Sequence, residues 1–420
     1  MPMSEAFERR LHSILPDIVS EFGTPFHIYD KRGIIDTGKR LKRAFRGVRG
    51  FKEHYAVKAL PNPAILEIMA QLGFGFDCSS IIEVELARDA IGCGEGIMFT
   101  SNNTSSEEFF VAMDSGATIN LDDISFVPKL TGPFPDLVCF RFNPGTARTG
   151  NSIIGNPAEA KYGITWEQLV PAYRAAMERG ATRFGIHTMV CSNQRKHKYM
   201  IETVRMLLKL VHTLRLRLGI KCEFMNMGGG IGIPYKPTQK EVDIEAMAAG
   251  IKALLDEFKV AHGWVPKLFM ESGRYITGPH GVLVSTVINR KEIYQTHVGV
   301  DTGMPALMRH AIYGAYHHVT VLNGKGRRTE VANVVGSICE NCDRLATQRK
   351  LPRTKEGDIV ITHDTGAHGI AMGFNYNGRT RPKELLLESD GSVRLIRRAE
   401  TIDDLRATLS FPTQIWTPRS

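Results

Sequence analysis

Along the first two-thirds of this chain, two hydrophobic periods take turns. Short runs rich in β-branched and aromatic residues predict strands at His54–Ala59, Gly75–Cys78, Ile97–Ser101, Thr118–Asp122, Leu137–Asn143, Arg183–Val190, Cys222–Met227 and Lys267–Glu271. Between them, apolar residues recur at helical spacing. Pro63–Leu72 carries Ile65, Ile68, Met69 and Leu72 on one face. Ile81–Ala90, Ser106–Ser115, Trp166–Arg179, Met200–Leu218 and Asp243–Ala261 repeat the pattern. Capping residues open several of these stretches, such as Asn62 before Pro63 and Ser105 before Ser106-Glu107-Glu108. Eight evenly spaced strand–helix units predict an α/β fold closed as a (β/α)8 barrel, with a doubly wound sheet as the alternative.

The pattern changes after about residue 281. Gly281–Ile288, Thr296–Val300, Ala315–Leu322, Val331–Val335, Asp358–Thr362, Glu384–Leu387 and Ser392–Ile396 read as strands, and long helical patterns stop. Two domains follow: a barrel over 35–281, and an all-β domain over 282–420. The N-terminal segment of about 9–34, with Phe26-His27-Ile28-Tyr29 as a strand, is expected to join one of the two. Arg148–Ala160, rich in Gly and Asn, is expected to be a mobile loop above the barrel.

The chain's 420 residues exceed what one ordinary core holds, in keeping with two domains. Hydrophobic residues make up 43% and charged residues 23%, which excludes a disordered chain. No apolar run approaches the roughly 18 residues of a membrane span. The N-terminus, Met1-Pro2-Met3-Ser4-Glu5, has no apolar core of a secretory signal, so the cytosol is the expected compartment. Seven cysteines are scattered, and Cys339-Glu340-Asn341-Cys342 lacks the second pair a zinc site needs, so no metal is expected. The net charge of +9 comes from basic residues mixed with acids, with no basic stripe carrying aromatics; small anionic ligands explain it better than nucleic acid.

Candidate chemistry falls at the ends of the predicted strands, where barrel active sites sit. Lys58 ends the first strand, and a desolvated amine there, its pKa lowered, could form an imine. The blander reading is a solvated lysine. Gly228-Gly229-Gly230 closes the seventh strand; it is either a tight turn or a cradle of backbone N–H groups for a phosphate. Glu271 closes the eighth, as a partner for a protonated pyridine nitrogen or for Arg274. Arg274 and Arg309 each have the fork that grips a carboxylate, or else form surface ion pairs. Together these groups are what a pyridoxal 5'-phosphate (PLP) enzyme needs.

At these residues the chain resembles the fold-type III PLP-dependent decarboxylases, and within them the diaminopimelate decarboxylases. The resemblance spans roughly residues 20–410. Its motifs are Tyr55-Ala56-Val57-Lys58, Phe76-Asp77-Cys78-Ser79-Ser80 with Glu83, Asn226-Met227-Gly228-Gly229-Gly230 and Glu271-Ser272-Gly273-Arg274. In the second domain they are Asp301-Thr302-Gly303-Met304, Leu307-Met308-Arg309, Tyr313-Gly314-Ala315-Tyr316-His317, Cys339-Glu340-Asn341 with Asp343, and Asn375-Tyr376-Asn377 through Arg381-Pro382.

The resemblance implies that Lys58 carries the Schiff base and that Glu271 pairs with the pyridine nitrogen. It implies that Asp77, Glu83, His368 and Tyr376 lie near the cofactor, His368 also near the substrate, that Ser192, the glycines and the backbone near Arg274 hold its phosphate, and that the N-terminal strand completes the second domain. Arg274, Arg309 and Tyr313 would bind the substrate's far carboxylate. Glu340 would bind the far ammonium from a neighbouring subunit, in a homodimer with shared sites. Cys339 or Lys58 would return a proton after loss of CO2. With meso-2,6-diaminopimelate the product would be L-lysine.

Three positions depart from the family pattern. The usual HxHxGS reads His187-Thr188-Met189-Val190-Cys191-Ser192, so a thioether stands where a histidine covers the cofactor ring. The usual GAYG reads Gly366-Ala367-His368-Gly369, and the usual EPGR has Ser272 for proline. A decarboxylase of a related D-amino acid or carboxy-polyamine therefore stays open as an alternative, with a non-catalytic PLP-binding homologue further off. Racemisation needs a second, opposed base, which no motif marks.

Overall fold

The computed structural model of the protein describes residues 3–150, 155–409 and 416. Helix α1 (Glu5–Phe22), strand β1 (Phe26–Asp30) and helix α2 (Lys31–Ala44) lead into eight parallel strands. These are β2 (Lys52–Ala56), β3 (Gly75–Cys78), β4 (Ile97–Thr100), β5 (Thr118–Leu121), β6 (Leu137–Phe142), β7 (Arg183–Thr188), β8 (Phe224–Asn226) and β9 (Lys267–Met270). They close on themselves in order, β9 pairing β2 through Lys52↔Phe269 and Glu53↔Met270. The barrel expectation holds, and the doubly wound alternative falls.

Helices α3 (Pro63–Gln71), α4 (Ile81–Ile91), α5 (Ser106–Asp114), α6 (Trp166–Glu178), α7 (His197–Leu218) and α8 (Ile244–His262) follow the strands, starting close to where the apolar spacing put them. Asn62, Ser80, Ser105, Thr165 and Asp243 cap α3, α4, α5, α6 and α8 by accepting a backbone N–H in the first turn. Strand residues and the inner helix faces share one large core, including Tyr55, Phe76, Phe99, Phe140, Leu207 and Ile251.

The first predicted strand is displaced. It starts two residues earlier and ends at Ala56, and Val57–Ala59 turn in a 3-10 helix, so Lys58 stands just past the strand rather than on it. A short helix, α9 (Gly273–Thr277), follows β9 directly and carries Arg274.

The second region is a nine-stranded, mostly antiparallel sheet. Its strands are β1, β10 (Gly281–Glu292), β11 (Thr296–Val300), β12 (Val319–Val321), β13 (Thr329–Val335), β14 (Arg344–Pro352), β15 (Ile359–Thr362), β16 (Lys383–Leu387) and β17 (Val393–Arg397). β1 lies between β10 and β16. β10 shifts register between Val287 and Asn289, pairing β1 and β15 with its first half and β11 with its second. The strand expected at Ala315–Leu322 shrinks to β12.

Several elements were not anticipated, α2 and α9 among them. Helix α1 lays Phe7, Leu11, Leu15 and Ile18 onto the sheet core with Phe26, Ile28, Val282 and Leu385. Strand β14 pairs β13 with a further register irregularity. Of the loop expected at Arg148–Ala160, residues 151–154 lie outside the described residues. Arg148 itself is anchored, donating to the Tyr199 carbonyl (2.9 Å) and the Thr203 hydroxyl (2.9 Å) on α7. Among the described residues, no helix is long and apolar enough to cross a membrane, and no group of three or more His, Cys, Asp or Glu side chains is placed to hold a metal.

Candidate active site

A cleft of about 380 Å³ opens at the C-terminal ends of the barrel strands. Lys58, Asp77, Met189, Ser192, Gly229, Gly230, Glu271, Arg274, Arg309, Tyr313 and His368 all line it, so residues far apart in sequence meet in one place. The parallel closure does this: every strand points its C-terminal end to the same rim.

Lys58 Nζ donates to Asp77 Oδ2 at 2.6 Å and reaches Ser79 Oγ at 3.4 Å. Its side chain is 44% exposed, because the cleft above it is open. The expected lowering of its pKa is not found. Burial pulls the amine down, but the Asp77 and Glu271 carboxylates outweigh burial and hold it above its ordinary value. In this form Lys58 is a paired ammonium.

Glu271 lies on the cleft floor. Its Oε1 accepts from Asn226 Nδ2 at 2.8 Å, and His187 Nε2 sits 3.2 Å from the same oxygen. Burial alone would raise this carboxyl; the His187 ring, the Lys58 ammonium and His54 overcome it and hold it below the usual carboxylate range. Asp77 moves the other way, raised by burial and by the Glu271 charge. Glu271 is thus a fixed anion. Asn226 also accepts the Gly228 N–H at 2.9 Å, tying the glycine turn to the same carboxylate.

The glycine turn is compressed against its neighbours. Gly228 (φ +69°) and Gly230 (φ +96°) have left-handed backbones. A Cβ on Gly229 would strike the Glu271 carbonyl, and one on Gly230 the Cys191 carbonyl. Met189 has its sulfur about where a Cβ on Gly228 would point, 3.0 Å away.

Arg274 and Arg309 form the other wall, 7% and 2% exposed. Both donate to one phenol oxygen, Tyr235 Oη, at 2.5 Å and 2.9 Å, and Arg274 Nη2 reaches Ser192 Oγ at 3.4 Å. Arg309 Nη1 also donates to His317 Nε2 at 2.9 Å, while His317 Nδ1 donates to the His363 carbonyl at 2.8 Å. Among the described residues, no carboxylate pairs with either arginine. His368 (φ +55°) is held neutral, far below the usual histidine range, by burial first and then by Arg274 and Arg309. Its backbone N–H donates to the Ala59 carbonyl at 2.8 Å.

Several expected residues stand elsewhere. Gly228 underlies the cleft without lining it. Glu83 sits behind Asp77, where Oε2 accepts the Ser79 N–H at 2.7 Å. Tyr376 is 51% exposed in a surface turn away from the cleft. Cys339 and Glu340 are exposed, and Glu340 borders a separate cavity with Ile288, Lys291, His297 and Arg344. Sequence reasoning missed Tyr235, Arg141 and Tyr162. Arg141 lines the cleft, 4.4 Å over the Tyr162 ring and 3.5 Å from Asp122. Tyr235 was findable, since it ends the apolar run directly after the glycines.

These residues fit pyridoxal phosphate. The cradle leaves no room for side chains, a fixed anion faces a lysine across the floor, and the buried Asp77 Oδ1 and His187 Nδ1 lack partners of their own.

Comparison with known proteins agrees. The family model for the pyridoxal-dependent decarboxylase, pyridoxal binding domain, matches residues 32–278. Protein TabA of Pseudomonas amygdali pv. tabaci is 44% identical over 419 residues, covering 100% of this chain and 99% of its own. The diaminopimelate decarboxylase of Methanothermobacter thermautotrophicus is 33% identical over 406 residues, covering 95% and 94%. The crystal structure of M. jannaschii diaminopimelate decarboxylase in co-complex with L-lysine superposes with a TM-score of 0.87 at 30% identity, covering 94% of each chain. The chain therefore belongs to the fold-type III pyridoxal-dependent decarboxylases and is a PLP-dependent carboxy-lyase.

Proposed function

We propose that this enzyme decarboxylates an amino acid bearing a second, distal carboxylate, with meso-2,6-diaminopimelate as the substrate and L-lysine and CO2 as products. One observation carries the reading. Arg274 and Arg309 are buried side by side on the cleft wall and share a neutral phenol instead of an acid. Burying two unpaired cations is costly, so the pair is built for an anion that arrives with the ligand.

PLP supplies the electron sink that makes loss of CO2 from Cα possible. The protein's residues do the rest. Lys58 would hold the cofactor through its amine nitrogen. Asp77, 2.6 Å from that nitrogen, would take up and return its proton. Glu271, kept anionic by His187 and Asn226, would keep a proton on the ring nitrogen. Gly229, Gly230 and Ser192 hold the phosphate. Met189 covers an apolar face without offering a proton. Arg274, Arg309 and Tyr313 grip the distal carboxylate and so orient the scissile bond.

Cys339 and Glu340 do not reach this cleft. In the proposed homodimer they enter the neighbour's cleft, Glu340 meeting the distal ammonium and Cys339 returning the proton to Cα. Their exposed position beside Ile288 and Ile293 supports that arrangement. The enzyme is then cytosolic, with reduced thiols.

Met189 and His368 favour keeping a second reading, in which the pocket takes another D-amino acid or a carboxy-polyamine. CO2 release separates the two. The PLP-loaded protein is offered meso-, L,L- and D,D-diaminopimelate, D- and L-lysine, D- and L-ornithine and carboxynorspermidine. Turnover of the meso isomer alone supports the first reading. Turnover of an amine without the second carboxylate, with diaminopimelate inert, overturns it.

A further inference from the structure

Glu53 is a buried acid between Lys52 and His54 on β2, and no motif accounts for it. It is 2% exposed on β2, and its Oε1 accepts the backbone N–H of Ser272. Its Oε2 is buried without a hydrogen-bond partner among the described residues. Ser272 stands where the family pattern has proline, and a proline there has no N–H to give. The strand acid and the serine therefore belong together as a donor–acceptor pair that the family's usual turn does not contain.

The turn they fix is the junction of the active site. The Glu271 N–H donates to the Gly228 carbonyl at 3.0 Å, and the Gly273 N–H to the Glu271 carbonyl at 3.0 Å. A Cβ on Gly273 would lie 2.6 Å from Ala59 Cβ, so the turn presses on the 3-10 segment that carries Lys58. Side chains leave this turn in two directions: Glu271 to the cleft floor, and Arg274 to the anion wall. The turn's remaining N–H, that of Ser272, is the one Glu53 holds.

We propose that Glu53 is a positioning residue, which by holding the Ser272 N–H sets Glu271 against the cofactor's ring nitrogen and Arg274 against the substrate's distal carboxylate. The part that concerns Arg274 rests on the dicarboxylate reading; the part that concerns Glu271 does not.

The test uses the PLP-loaded enzyme with Glu53→Ala, Glu53→Gln, Ser272→Pro and the double variant Glu53→Ala/Ser272→Pro. Three quantities are read: the PLP dissociation constant, the pH midpoint of the bound cofactor's visible absorbance, and KM and kcat for meso-diaminopimelate. Glu53→Ala and Ser272→Pro should each weaken PLP binding about tenfold, the worth of one buried hydrogen bond, and move the absorbance midpoint. Glu53→Gln keeps an acceptor and should stay within about twofold of wild type. The double variant should cost less than the sum of its parts, because it removes donor and acceptor together. Unchanged PLP affinity and midpoint in Glu53→Ala, or strictly additive losses in the double variant, overturn the proposal. If Glu53→Ala fails to fold, Ser272→Pro against the double variant decides: PLP binding no weaker in the double variant supports the pair, and a further loss overturns it. The two cofactor readouts need no substrate, so they stand even if diaminopimelate is inert.

Discussion

Arg309→Met tests whether the anion wall serves the substrate or the fold. Arg309 is nearly fully buried and donates to Tyr235 Oη and His317 Nε2, both neutral. Its own pKa is lowered, by burial first, with the Arg274 cation adding to it. Methionine fills a similar volume without the charge. Its cost is the donor lost at His317 Nε2, about 1–3 kcal/mol for a buried acceptor left unsatisfied. Tyr235 keeps its bond from Arg274. Against this stands the desolvation of an unpaired cation, several kcal/mol, which the variant no longer bears. Denaturant unfolding should therefore show stability unchanged or raised. Catalysis should move the opposite way. A charge-assisted bond to the distal carboxylate is worth about 1.5–3 kcal/mol, so kcat/KM for meso-diaminopimelate should fall about 10- to 150-fold, mostly through KM. A slow substrate lacking that carboxylate should be spared. A stability loss above about 3 kcal/mol would make Arg309 a structural cation. Equal losses on both substrates would remove the carboxylate from its role.

Lys58→Ala should abolish the absorbance shift on PLP addition and all turnover; full turnover without the lysine would refute its assignment. Mixing inactive Lys58→Ala with inactive Glu340→Ala should restore part of the activity through hybrid dimers, and no restoration would place Glu340 outside the partner's cleft. Gly230→Ala should weaken PLP binding at least about tenfold, since φ +96° and the Cys191 carbonyl both reject a Cβ. The Glu53 carboxyl is raised by burial to about 8. A raised folded pKa contributes stability that is fully present below the unfolded value near 4.5 and lost as pH rises through about 8. Unfolding followed from pH 5 to pH 9 should then show Glu53→Gln gaining on wild type as pH rises, and parallel curves would contradict the burial argument.

The barrel was legible because each of its units carries its own period and cap, and eight in order close on themselves. The site was legible where residue type alone restricts the chemistry: the lysine, the glycines, Glu271 and the two arginines. What escaped depended on neighbours distant in sequence. Helix α1 does show its i, i+4 stripe of Phe7, Leu11 and Leu15, yet Pro16 and flanking charges mask it. Strand β14 alternates weakly, and Gln348 (φ +49°) breaks its run. The Lys58 pKa was misjudged because burial was weighed without Asp77, which β3 brings alongside β2. Glu53 has no meaning until the Ser272 turn is in place beside it, and Tyr235 has only its place after the glycines to mark it until Arg274 and Arg309 meet at its hydroxyl.

Product analysis on meso-diaminopimelate tests the central claim most directly. The PLP-loaded enzyme is incubated with the meso isomer, and CO2 and lysine are quantified with resolution of the lysine enantiomers. One L-lysine per CO2, with the L,L and D,D isomers inert, is the predicted result. No CO2 from the meso isomer, by a protein that has bound PLP covalently, would contradict it.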